Sequence, residues 1–106
     1  MRKLDFNRLL DGKKAVITTG ARGIGRETAM LFAQQGARVF VGGRNAQTLS
    51  ETMKEIQKLS PSSKGFVADL SKKEDIERTC DEILSREGGI DILVNTVGIN
   101  EQHPLH

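Results

Sequence analysis

The chain has 106 residues, room for one packed domain and not for two. Its 16 basic and 14 acidic residues are interspersed and leave a formal charge of +2, so no basic face of the kind that tracks nucleic acid is expected. One cysteine, Cys80, excludes an intrachain disulfide or a thiolate metal cluster, and no run has the length of a signal-peptide core or a membrane span, so the expected setting is the reducing cytoplasm.

In chain order, residues 1–12 read as a polar lead-in, and Ala15–Thr18 as a first strand. A helix follows, with Ile24, Thr28, Leu31 and Phe32 at i, i+4, i+7 and i+8, closing at Gly36. Arg38–Val41 reads as a second strand. A second helix starts at an Asn45 cap, aligns Leu49, Met53, Ile56 and Leu59, and stops before Pro61. Gly65–Ala68 reads as a third strand. The third helix opens on the capping-box pattern Ser71-Lys-Lys-Glu74, carries Ile76, Cys80, Ile83 and Leu84 on one face, and ends at Gly88-Gly89. Asp91–Asn95 is the fourth strand and residues 99–106 a trailing loop. All four strands are short, nearly continuous apolar runs, as in strands covered on both faces. The order β-α-β-α-β-α-β predicts an α/β fold: a partial doubly wound parallel sheet in one domain, with strand order 3-2-1-4.

Gly20, Gly23 and Gly25 fall between the first strand and the first helix, where helix N–H groups and dipole favour a pyrophosphate. A plain tight turn is the simpler alternative, but the strand–loop–helix context favours a ligand. Gly25 is followed by Arg26-Glu27, which excludes a P-loop. A site for NAD would want an acid at the end of the second strand to hold the ribose hydroxyls. Here that strand ends Val41-Gly42-Gly43-Arg44, with Asn45 next. Arg44, helped by Arg22 in the loop, therefore reads as a clamp for a 2′-phosphate, and the cofactor as NADP(H).

These residues together resemble the classical short-chain dehydrogenase/reductase family, over about residues 10–105. The family pattern Thr-Gly-x-x-x-Gly-x-Gly is met by Thr18, Gly23, Ile24 and Gly25, with Thr19 in place of its first glycine and Gly20 beside it. Asp69-Leu70 matches a pair that, in the family, contacts adenine. Asn95-Thr96-Val97-Gly98 matches the Asn-Asn-Ala-Gly element in part. The resemblance implies that Asn95 steadies the central strands and that Gly98 lines the adenosine side. Basic residues at Arg22 and Arg44 mark NADP-preferring members. Thr19, Thr96 and Val97 add bulk at the pocket, and a β-branched residue forced to positive φ costs about 1–2 kcal/mol, so cofactor binding is expected to be weakened.

The chemistry implied by the resemblance is hydride transfer to or from a carbonyl or alcohol, with a serine, a tyrosine and a lysine from a later segment. The chain contains no tyrosine, so no catalytic residue is assigned and no activity is expected from it alone. Two alternatives stay open: a non-catalytic nucleotide-binding or interaction module, and an inactive folded remnant. The tail Gly98-Ile99-Asn100…Pro104-Leu105 is similar to the corresponding loop of gluconate 5-dehydrogenase-like members, which implies a polyol or sugar-acid substrate. Ile92, Leu93 and Val94 are expected on an open sheet edge, which predicts a homo-oligomer. His103 and His106 read as surface residues rather than a metal pair, and Cys80 as a buried structural thiol.

Overall fold

The computed structural model describes residues 9–18, 23–68 and 72–95. Its elements are β1 (Lys14–Ile17), α1 (Gly23–Gln34), β2 (Arg38–Gly43), α2 (Ala46–Leu59), β3 (Lys64–Val67), α3 (Lys73–Glu87) and β4 (Ile92–Val94). The strands form one parallel sheet in the order β3-β2-β1-β4. Strand order, element order and helix count among the described residues agree with the pattern of the sequence.

The alternation of β1 and β2 explains two separate cores. Ile17, Val39 and Val41 point to one face, where they meet Ala29, Ala33, Leu49, Met53 and Ile56 of α1 and α2. Val16 and Phe40 point to the other, where Ile83 of α3 covers them with help from Phe66 and Ile90. Side chains of successive strand residues take opposite faces, so strands clad in helices on both sides carry continuous apolar runs. Strand β2 runs on to Gly43, two residues beyond the sequence reading, because Gly42 and Gly43 pair with Phe66 and Val67.

The α1–β2 turn shows how tightly the chain is drawn. Gly36 has φ +93°, and the Ala37 N–H bonds back to Phe32 O at 3.1 Å, the closing bond expected after a left-handed helix terminator. A Cβ on Gly36 would lie 3.0 Å from Asp11 Cα. Residues 9–12 are thus a packed start rather than a free lead-in: Leu10 sits against the first core and its N–H donates to Gln35 O at 2.8 Å. Residues 1–8 and the trailing loop 99–106 lie outside the described residues.

Two helices bury a different face from the one their large apolar residues suggested. In α1 the buried residues are Gly25, Ala29 and Ala33, while Ile24 and Leu31 are exposed. Small side chains let the helix lie close on the sheet, and a count of bulky residues misses that. In α3 the buried residues are Thr79 and Ile83; Cys80 is half-buried and Leu84 exposed. Burial, and then the neighbouring Asp81 charge, push the Cys80 thiol above its ordinary pKa, which keeps it in the unreactive form. In α2 the cap is as expected and Leu49, Met53 and Ile56 are buried, but Leu59 is exposed at the last position.

The start of α3 also moves. Its N-cap is Lys72, whose carbonyl accepts from both Asp75 and Ile76 N–H at 3.1 Å, while Ser71 of the expected capping box lies outside the described residues. Glu74 and Asp75 still place negative charge in the first turn, where the helix dipole favours it.

Candidate functional site

Parallel strands bring all their C-terminal ends to one edge of the sheet. Here α1 and α2 cover one face and α3 the other, so the chain leaves β1 toward one face and reaches β4 from the other. A ligand crevice forms at such a switch point. Thr18, Gly23, Ile24, Gly25, Arg44, Asn45 and Asn95 all fall at this edge, although they span most of the sequence.

Thr18 is buried directly after β1. Its N–H donates to Val94 O at 3.0 Å, and its hydroxyl to Asn95 Oδ1 at 3.1 Å. The ends of β1 and β4 are therefore tied by side chains as well as by the ladder.

At the next position along the edge, α1 opens on Gly23 with φ +65°. A side chain in that conformation would be strained, so the glycine serves the turn that aims the helix N-terminus at the crevice. Gly25, two residues in, is buried against the fold. Neither α1 nor α2 has an acidic residue in its first turn, whereas α3 has two. Both helix ends facing the crevice thus keep their positive dipole available for an anion.

The β2 end supplies the third part. Gly42 and Gly43 are buried within the strand, and Gly43 O accepts from Ala68 N at 2.9 Å. Their position as a Gly-Gly pair closing a strand was visible in the sequence, but the sequence reading weighed only the missing acid beside them. Arg44 follows, exposed. Asn45 caps α2 with its side-chain oxygen, accepting from Thr48 N at 3.0 Å, so that oxygen is engaged in the fold.

Thr19, Gly20, Arg22, Asp69, Leu70 and Gly98 lie outside the described residues, as do Thr96, Val97, His103 and His106. Among the described residues there is no group of three or more His, Cys, Asp or Glu arranged to hold a metal ion, and no helix long and apolar enough to cross a membrane.

A helix N-terminus without acids in its first turn and a strand ending Gly-Gly, both at the switch point of a parallel sheet, are the arrangement of a dinucleotide-binding α/β domain, and the described residues fit such a cofactor. The family model for short chain dehydrogenase matches residues 13–106, and the chain belongs to that family, whose members bind nicotinamide dinucleotides. It is 39% identical over 93 residues to the uncharacterized oxidoreductase YxbG of Bacillus subtilis, covering 88% of this chain and 34% of that protein. It is 36% identical over 90 residues to the 3-oxoacyl-(acyl-carrier-protein) reductase FabG of Thermotoga maritima, covering 85% and 37%. Among solved structures, a 7α-hydroxysteroid dehydrogenase in complex with NADH and 7-oxo glycochenodeoxycholic acid superposes with a TM-score of 0.77 at 38% identity, covering 90% of this chain and 37% of that one. The chain thus spans about a third of the length of the curated relatives it matches.

Proposed function

We propose that residues 1–106 form the NADP(H)-binding part of an oxidoreductase that moves hydride between NADP and a small carbonyl or alcohol. The carrying observation is the end of β2, where buried Gly42-Gly43 leads into exposed Arg44 and no carboxylate stands where a ribose diol would need one. A guanidinium can hold a 2′-phosphate by paired charge-assisted hydrogen bonds, each contributing about 1.5–3 kcal/mol. The α1 N-terminus offers its amides to the pyrophosphate, and Thr18 with Asn95 keeps the crevice walls in register. When bound, the nicotinamide group supplies or accepts the hydride.

Arg22, Asp69, Leu70 and Gly98 complete the cofactor contacts in this reading, and Thr19, Thr96 and Val97 weaken them. With no tyrosine in its 106 residues, the chain has no phenol to serve as the family's proton donor. A module that binds NADPH without turning anything over stands beside it as the second reading. A polyol or sugar acid as substrate, a cytoplasmic setting and self-association belong to the same proposal, supported respectively by the tail 98–105, the single cysteine and the open β4 edge.

The test is Arg44→Ala, followed by fluorescence titration with NADPH and NADH. NADPH affinity is expected to fall tenfold or more while NADH affinity stays within about twofold, since only the former carries the 2′-phosphate. Equal losses for both, or no loss for NADPH, would contradict the assignment.

A further inference from the structure

An N-cap must offer an acceptor to the first amides of its helix, and Asn, Asp and Ser do so about equally well. The helix dipole tips that choice toward Asp, because a carboxylate gains from the positive end of the helix. Yet α2 is capped by the neutral Asn45 and has no acidic residue in its first turn. Its first carboxylate is Glu51, in the second turn. Asn45 also stands about 20 residues beyond the glycine loop, the distance at which an NAD site carries its ribose-holding acid.

The cap fixes which way the side chain faces. Asn45 Oδ1 accepts from the Thr48 N–H at 3.0 Å. A backbone N–H can be met only by the oxygen end of the planar amide, so the NH2 end is turned out of the helix. Asn45 is exposed, and among the described residues its Nδ2 has no partner. The Arg44 guanidinium beside it is exposed too, with no ion pair or hydrogen bond among the described residues, whereas Arg38 and Arg78 are each engaged by a carboxylate. Two donor groups thus follow one another directly after the buried Gly42-Gly43 end of β2, and no acid neutralises them.

We propose that Asn45 is a second specificity-determining residue, an inference that rests on the reading of Arg44 as the phosphate clamp. Its amide donates to the 2′-phosphate of NADP(H) beside the Arg44 guanidinium, while its oxygen holds α2. Asp at this position would cap the helix equally well but repel the phosphate, and would suit the ribose diol of NAD instead. The side chain therefore separates the needs of the fold from those of the ligand: cap quality is the same for Asn and Asp, and the choice between them sets the cofactor.

The test compares Asn45→Asp, Asn45→Ser and Arg44→Ala in the full 106-residue chain, by fluorescence titration with NADPH and NADH and by thermal unfolding without ligand. Asp and Ser both retain a cap, so their unfolding midpoints are expected to match the parent's. Asn45→Ser removes the donor without adding charge and is expected to lower NADPH affinity about tenfold. Asn45→Asp is expected to lower it further, with NADH bound at least as tightly as by the parent. NADPH affinity retained by both Asn45 variants but lost in Arg44→Ala overturns the role of Asn45 and leaves the clamp standing. Affinity unchanged in all three overturns both. Equal losses of NADPH and NADH with a lowered midpoint reduce Asn45 to a helix cap and overturn its role in specificity.

Discussion

The Ser63 hydroxyl accepts from Val39 N at 2.8 Å and donates to Ser60 Oγ at 2.9 Å, while Ser63 O accepts from Gln57 Nε2 at 2.8 Å. It is fully buried, and it satisfies an amide of β2 one step before the pairing of Phe40 with Lys64 begins. Ser63→Ala leaves that amide without its partner, a loss of about 1–3 kcal/mol that urea denaturation at neutral pH measures directly. Nothing in Ser60-Pro-Ser-Ser63 marks one of its serines as buried, since the composition says only that the chain turns. The place of Arg44 was legible because it rests on sequence position alone, after a strand and before a cap. The Thr18–Asn95 bond was not, because the two residues are far apart in the chain and only the parallel pairing of β1 with β4 brings them together.

At the scale of elements, the C-terminal end of α3 is fastened to three strands through one residue. Glu87 pairs with Arg38 of β2 and, at 3.6 Å, with Lys64 of β3, while its carbonyl accepts from Lys14 Nζ of β1. The hydrogen bond from Arg38, with the Arg38 and Lys64 charges, holds the Glu87 carboxyl below its ordinary range despite partial burial. A carboxyl with a lowered folded pKa adds stability that is present above its unfolded value, about 4.3, and is lost as pH falls through the folded value. Unfolding of the parent is therefore expected to grow easier on acidification more steeply than that of Glu87→Gln, with the two curves converging at low pH; parallel curves between pH ~5 and ~3 would refute this pinning role. Element type and order were readable from periodicity, but which face of α1 and α3 is buried was not. Gly25, Ala29 and Ala33 win the sheet contact by being small, and Lys72 takes the α3 cap through its backbone carbonyl, so neither choice leaves a mark in hydrophobicity or capping preference.

For the whole molecule, the order β3-β2-β1-β4 and the family follow from the same source. Alternating strands and helices dictate parallel pairing with right-handed crossovers, and these place the start of α1, the Gly-Gly-Arg strand end and Asn95 on one edge. The site is thus a consequence of topology, and the functional reading depends on whether that edge still holds its dinucleotide. Isothermal titration of the full chain with NADPH and with NADH decides it. The account predicts that NADPH binds at least tenfold more tightly than NADH, yet more weakly than low micromolar because of Thr19, Thr96 and Val97. NADH binding as tightly as NADPH, or no measurable binding of either, would contradict it.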